Sequence, residues 1–302
     1  MNCAIYAEAH SGLRLNTKLE SKLIKTGANS VSLIFEQNKL DSVIRIGGIP
    51  TLRFWRDLEK LDCPVLNFSA NSFSGLPRIK DEPYKINDLS IIAEQKFNNF
   101  SLGLIKEQTV IKGISRLMGK YPNSEQSFVF NLSKHIEAGG QIFLANSLPI
   151  REWDSFAKAS EGIKVQTLRG ANGIDGNISY FLGLTTDSQV NYCVLGDLSA
   201  MYDLSAGFLY KKYYRQKKIK IIVINNGGGK IFTSLFKNEA FENNHDIEFS
   251  GWAKMFGLDY QLVKDVSEIN FTTNNEVMEL VPDNNETFKF SEEYNLLIKG
   301  AL

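Results

Sequence analysis

Hydrophobic and polar positions along this chain fall into short apolar runs, each closed by small polar residues. In the second half the runs are Gln141–Ala145, Lys164–Leu168, Cys193–Leu195 and Ile221–Ile224. Helical spacing separates them, over 149–159, in a short helix ending near 184, and in a segment long enough for one crossover helix between the last two runs. Such alternation predicts a parallel sheet covered on both faces. Beyond it, 230–248 reads as loop or short helix and Trp252–Phe256 as helix. Tyr260–Val263 and Val277–Leu280 read as edge strands, and 291–298 as a closing helix.

The first half repeats the theme on a smaller scale. Ala4–Ala7 is a short apolar run. Residues 17–26 look helical and stop at Gly27, a plausible helix end. Val31–Phe35 fits strand or helix. Ser42–Ile46, a helix over 52–61 and Cys63–Phe68 make a strand–helix–strand unit. Residues 70–88 read as loop, and 90–137 as helical with a break at Tyr121-Pro122-Asn123 before Glu125 and Ser127 open a second helix. The expected fold class is therefore α/β, with two Rossmann-like parallel-sheet domains, 1–95 and 96–302.

Composition narrows the function classes. The 302 residues are 43% hydrophobic and 23% charged with zero formal net charge, which argues against nucleic acid or an anionic membrane surface as the main partner. The basic run Lys211–Lys220 reads as a solvated helix face. No apolar run is long enough to span a membrane. Cys3, Cys63 and Cys193 cannot all pair and suit a reducing cytoplasm. His10, His135 and His245 are far apart in sequence, so a histidine-based metal motif is not expected, and none of the three is given a role.

Chemistry concentrates between Tyr192 and Phe232. One strand ends in Gly196-Asp197-Leu198-Ser199 and the next in Asn225-Asn226-Gly227-Gly228-Gly229. Open α/β sheets bind ligands just beyond the carboxyl ends of their strands. Mg²⁺ prefers hard oxygen ligands. Asp197 offers a carboxylate, Asn226 an amide oxygen and Gly228 a backbone carbonyl, and two diphosphate oxygens and a water would complete six ligands. Ser199 is placed to cap the crossover helix or meet a phosphate. Alone, each turn is ordinary loop chemistry; together, after two strands of one βαβ unit, they point to a metal–diphosphate site. There is no Walker A sequence and no GxGxxG.

These residues carry a resemblance. Gly196-Asp197 followed by Asn225-Asn226 is similar to the thiamine-diphosphate signature, with Leu198 where its commonest form has glycine. GDLSAMYDLS, NNGGGKIF and RGANGIDG resemble the menaquinone-pathway 2-succinyl-5-enolpyruvyl-6-hydroxy-3-cyclohexene-1-carboxylate (SEPHCHC) synthases, as do AEAHSGLR at 7–14, VIRIGGIPTLR at 43–53 and ANSLPIR at 145–151. The resemblance implies a thiamine-diphosphate-binding fold of the diphosphate type for the second domain, and thiamine diphosphate and Mg²⁺ as cofactors. It implies Asp197, Asn226 and the Gly228 carbonyl as metal ligands, with Gly196, Leu198 and Ser199 beside the cofactor. Ile174 would support the bent cofactor between its rings, and Ile231-Phe232 would form an apolar pair at the site. Ser147, Arg151 and Arg169 would contact substrate. Arg53 falls where the family has a basic residue, and Leu52 where it often has Lys.

The implied reaction joins 2-oxoglutarate to isochorismate with loss of CO₂. Both substrates are anionic, and arginine forks suit carboxylates. The family's chain begins with a domain that binds the aminopyrimidine and carries an activating glutamate; that domain would precede residue 1, and Glu8 and Glu20 lie in the wrong context to replace it. The chain is therefore expected to need a pyrimidine-binding domain from elsewhere, within a homo- or hetero-oligomer in the cytoplasm. The alternatives are a thiamine-diphosphate enzyme acting on another 2-oxo acid and a non-catalytic binding module.

Overall fold

The computed structural model describes residues 3–24, 26–27, 30–31, 42–51, 64–69, 84–85, 87–88, 90, 102–158, 162–170, 172–233 and 238–301. Three parallel sheets are present among them. Two are pairs of short strands: β1 (Ile5–Tyr6) with β2 (Leu23–Ile24), and β3 (Val43–Ile46) with β4 (Val65–Phe68). The expected helix over 17–26 is thus a 3₁₀ turn, Thr17–Lys22, followed by a strand. Leu23 and Ile24 are buried in that strand, so packing overrides the helical spacing. The helix expected at 52–61 lies outside the described residues.

The third sheet has six strands. In chain order the elements are α1 (Leu102–Lys120), α2 (Glu125–Lys134), β5 (Gln141–Leu144), α3 (Leu148–Phe156), β6 (Lys164–Thr167) and α4 (Asn177–Leu184). They continue with β7 (Val190–Gly196), α5 (Asp197–Met201), α6 (Ala206–Leu209), β8 (Lys218–Ile224), α7 (Ser250–Phe256), β9 (Asp259–Val263), β10 (Asn275–Leu280) and α8 (Asn284–Ala301). The strand order is β6-β5-β7-β8-β10-β9, with every pair parallel.

Alternate residues of each central strand serve opposite faces, as the two-residue pleat requires. Ile142, Leu144, Tyr192, Val194, Ile222 and Ile224 pack with Phe128, Leu132 and Trp153 of α2 and α3. Phe143, Cys193, Leu195, Ile221 and Val223 pack with Phe181, Trp252 and Ala253 of α4 and α7. A third cluster joins Ile114 and Leu117 of α1 to Phe290 and Tyr294 of α8. Burial on both faces explains why these strands read as unbroken apolar runs.

Three expectations are corrected. Val277–Leu280 is not an edge strand: β10 lies between β8 and β9. Its two buried glutamates are partnered inside the sheet. Glu276 faces Lys220 at 2.5 Å, and Glu279 accepts from Asn225 Nδ2, the Phe249 N–H and the Tyr260 hydroxyl. The same pair corrects the basic run, since Lys220 is 5% exposed on a central strand and Lys217 is half-buried; Lys211, Lys212 and Lys218 are exposed. The crossover is also not one helix. It breaks between α5 and α6, where Asp203 accepts from the Ser179 N–H and hydroxyl and Trp252 Nε1 donates to the Leu204 carbonyl; a π-helical turn, Tyr210–Tyr214, ends it. No helix among the described residues is long and apolar enough to cross a membrane.

Candidate functional site

β7 and β8 pair in a register that sets Gly196 opposite Ile224. The residues that follow, Asp197 and Asn225-Asn226, therefore leave the sheet side by side. Asp197 starts α5 and is 2% exposed. Its Oδ1 accepts from the Leu198 N–H at 2.6 Å, and its Oδ2 accepts from the Gly227 and Gly228 N–H groups, each at 2.9 Å. Burial pushes this carboxyl up, while the Leu198 N–H, His245 and the two glycine N–H groups pull it down. Gly228 sits at φ +145°, and an added Cβ would lie 2.5 Å from the Glu242 carbonyl, so only glycine lets the loop turn onto Asp197. The Gly228 carbonyl accepts from the Lys230 N–H at 3.0 Å.

Asn226 is 7% exposed. Its Nδ2 donates to Glu125 Oε2 at 2.8 Å, whereas its Oδ1 is buried without a partner. An orphaned buried amide oxygen is costly unless something fills its lone pairs. A hard cation does so. Asp197, Asn226 Oδ1 and a second lone pair on the Gly228 carbonyl form a one-carboxylate, all-oxygen donor set, which fits Mg²⁺. Among the described residues there is no group of three His, Cys, Asp or Glu arranged to hold a metal.

The flanking residues are placed as follows. Ser199 does not cap α5; its hydroxyl donates to the Ile174 carbonyl at 2.6 Å and accepts from Asn177 Nδ2 at 3.0 Å. It thereby fixes the loop that carries Ile174, whose side chain is half-buried. Gly196 and Leu198 bracket Asp197. Ile231 and Phe232 lie on a 3₁₀ turn, the first half-buried and the second 41% exposed.

A second set of residues gathers beyond β5 and β6. Ser147 leads into α3 at φ 79°, ψ −133°, an uncommon conformation for a residue with a side chain, and its hydroxyl makes no cap. Arg151, on α3, donates to the Thr51 carbonyl at 3.3 Å. Arg169 donates to Asn146 Oδ1 at 3.0 Å and to the Pro50 carbonyl at 3.2 Å. Burial lowers the pKa of both guanidinium groups, and each Nε is buried with no partner. Arg151 lowers Arg169 further, while the single carboxylate of Glu8 opposes this. Glu8 itself accepts from the Thr51 N–H at 2.5 Å. Crowded, half-buried guanidinium groups whose donors are only partly used can receive a carboxylate. Arg53 and Leu52 lie outside the described residues.

No family model matches the chain. Curated proteins do. It is 39% identical over 307 residues to a 2-succinyl-5-enolpyruvyl-6-hydroxy-3-cyclohexene-1-carboxylate synthase of Bdellovibrio bacteriovorus, covering 98% of this chain and 57% of that protein. The synthase of Akkermansia muciniphila is 29% identical, covering 95% of this chain and 56% of its own. That of Microcystis aeruginosa is 31% identical, covering 86% and 49%. The chain is homologous to part of the SEPHCHC synthases. It spans about half the length of the curated synthases it matches.

Sequence reasoning about this synthase-like site missed three side chains. His245 received no role, yet its Nε2 lies 3.3 Å from Asp197 Oδ2, and its Nδ1 accepts from the Ile247 N–H. Glu125 read only as a helix start, yet it holds Asn226. Glu152 read only as a helix residue beside Arg151, yet its carboxyl packs against that of Glu125. Nothing in a single sequence links positions so far apart. The weak signals were a glutamate directly after the cap Ser124 and a second glutamate between the apolar Ile150 and Trp153 of α3.

Proposed function

We propose that this chain supplies the diphosphate-binding half of a thiamine-diphosphate- and Mg²⁺-dependent carboligase, joining 2-oxoglutarate to isochorismate with loss of CO₂ in menaquinone biosynthesis. The observation that carries this is the Asp197 carboxylate held by the Gly227 and Gly228 N–H groups beside the unpartnered Asn226 Oδ1. In this reading Asp197, Asn226 and the Gly228 carbonyl hold Mg²⁺, which binds the cofactor's diphosphate. The bound cofactor supplies the means to stabilise negative charge at the former 2-oxo carbon.

The chain's own residues do the rest. Arg151 and Arg169 orient substrate carboxylates through their half-buried guanidinium groups, at positions fixed by the Thr51 and Pro50 carbonyls and Asn146. Arg53 adds a further cation. Ser147 offers a hydroxyl at the strand end, and Ile174, Ile231 and Phe232 give the cofactor apolar contact. The aminopyrimidine half of the cofactor is bound by protein outside these 302 residues, in the same polypeptide or another, within a cytoplasmic oligomer. The similarity to proteins named SEPHCHC synthase supports the choice of substrates.

The test is carboligation of 2-oxoglutarate and isochorismate by the full chain together with a pyrimidine-binding polypeptide. Product that requires both proteins and Mg²⁺ is expected. Lack of product with every such partner contradicts the proposal. Activity on a different 2-oxo acid alone would retain the cofactor assignment and replace the substrates.

A further inference from the structure

A metal-ligating asparagine presents a problem of orientation. Its oxygen and nitrogen are nearly equal in size, and only the oxygen can bind a cation. Something must decide which end faces the metal. At Asn226 the deciding group is Glu125. Nδ2 lies 2.8 Å from Glu125 Oε2, and Oδ1 has no partner. An amide turned the other way would set its oxygen against a carboxylate oxygen and leave its N–H₂ in the place of Oδ1.

Glu125 is itself firmly placed. It is 1% exposed, directly follows the cap residue Ser124 at the start of α2, and its N–H donates to the Thr287 hydroxyl at 2.9 Å. The Glu152 carboxyl, 7% exposed, packs against it from α3. The Asn226 backbone is fixed as well, since its carbonyl accepts from Asn284 Nδ2 at 3.2 Å. Two buried carboxyl groups with no basic partner among the described residues are a costly filling for an apolar interior. An acceptor aimed at the amide nitrogen accounts for the first of them, and a hydrogen-bonding neighbour for that acceptor accounts for the second.

We propose that Glu125, backed by Glu152, is a positioning residue for the cation site: it grips the Asn226 amide by its nitrogen and so presents Oδ1 as the metal ligand. This rests on the reading of Asp197 and Asn226 as cation ligands. Partners of this kind, one step removed from the metal, orient the ligands themselves.

The polarity of the pair can be exchanged. Asn226→Asp offers a stronger ligand type but places carboxylate against carboxylate. Glu125→Gln in the same chain restores one donor and one acceptor, with the roles reversed. Binding of a preformed Mn²⁺–inorganic diphosphate complex to the full chain is measured by calorimetry, with the metal-free thermal midpoint as the check of folding. Asn226→Asp is expected to weaken binding about tenfold or more, and the double variant to return to within about threefold of the unsubstituted chain. Full affinity in folded Asn226→Asp, or no recovery in the double variant, overturns the proposal.

If Asn226→Asp does not fold, Glu125→Met decides: it keeps the bulk and removes the acceptor. About tenfold weaker binding is expected, and unchanged binding overturns the proposal. Asp197→Ala separates the two levels. Undiminished binding there, or none by the unsubstituted chain, removes the cation site itself and this inference with it. Loss there with full affinity in Asn226→Asp removes only the role of Glu125.

Discussion

Two regions at the carboxyl ends of one sheet are built from opposite materials. Beyond β7 and β8, a buried carboxylate is held by the backbone N–H groups of two glycines. Beyond β5 and β6, half-buried guanidinium groups are held by backbone carbonyls and an asparagine oxygen. In each case the main chain satisfies part of the charge and leaves part of it open. The first region is specified by loop geometry, the second by side-chain charge. The first comes from one βαβ unit, whereas the second borrows the carbonyls of Pro50 and Thr51 from the first half of the chain.

That difference gives ways to pull the regions apart. The largest effect is expected from Arg14→Ala. Arg14 pairs with Asp154 at 3.0 Å, and both are largely buried; Tyr6 and the Ala9 N–H also donate to Asp154. Removing one partner of a buried pair leaves an uncompensated charge and costs about 3 kcal/mol. The denaturation midpoint should fall accordingly, and 2-oxoglutarate binding should suffer, because the segment carrying Glu8 loses its anchor. Diphosphate binding should persist, and its parallel loss would show that the two regions are not separable.

Next is Asp197→Ala. It should weaken Mg²⁺-dependent diphosphate binding by about a hundredfold, some 2.7 kcal/mol, with anion binding at the arginines intact. Smaller again is Arg169→Lys, which keeps the charge but loses the fork shared between Asn146 and Pro50. About tenfold weaker 2-oxoglutarate binding is expected, without change in diphosphate affinity. Equal affinity for 2-oxoglutarate would mean that the fork does not contact substrate.

The smallest effect is one of pH. Burial, then the neighbouring Glu125, pushes the Glu152 carboxyl well above its ordinary 4.5. The folded chain therefore holds a proton there that the unfolded chain has released, so stability falls as pH rises from about 4.5 upward. Glu152→Gln keeps a donor toward Glu125 and needs no proton. Its thermal midpoint should decline less between acid and mildly alkaline pH; an equally steep decline would assign the proton elsewhere.

The first region was largely legible in the sequence and the second only in part. Asp197 and Asn226 follow β-branched runs, and pairing of those runs alone brings them together. Arg151 and Arg169 were visible as residue types, but the carbonyls that aim them lie 100 and 119 residues away in sequence. The same limit hid Glu125 behind Asn226. It also left β10 reading as an edge, because nothing local shows that Lys220 meets Glu276 or that Asn225 and Tyr260 meet Glu279 inside the sheet. Local pattern reports what a strand offers; it does not report what a distant residue accepts.

The most direct test is calorimetric titration of inorganic diphosphate into the full chain with and without Mg²⁺. Saturable binding that appears only with Mg²⁺ is predicted. Binding of equal strength without the cation, or none with it, contradicts the assignment of Asp197, Asn226 and Gly228.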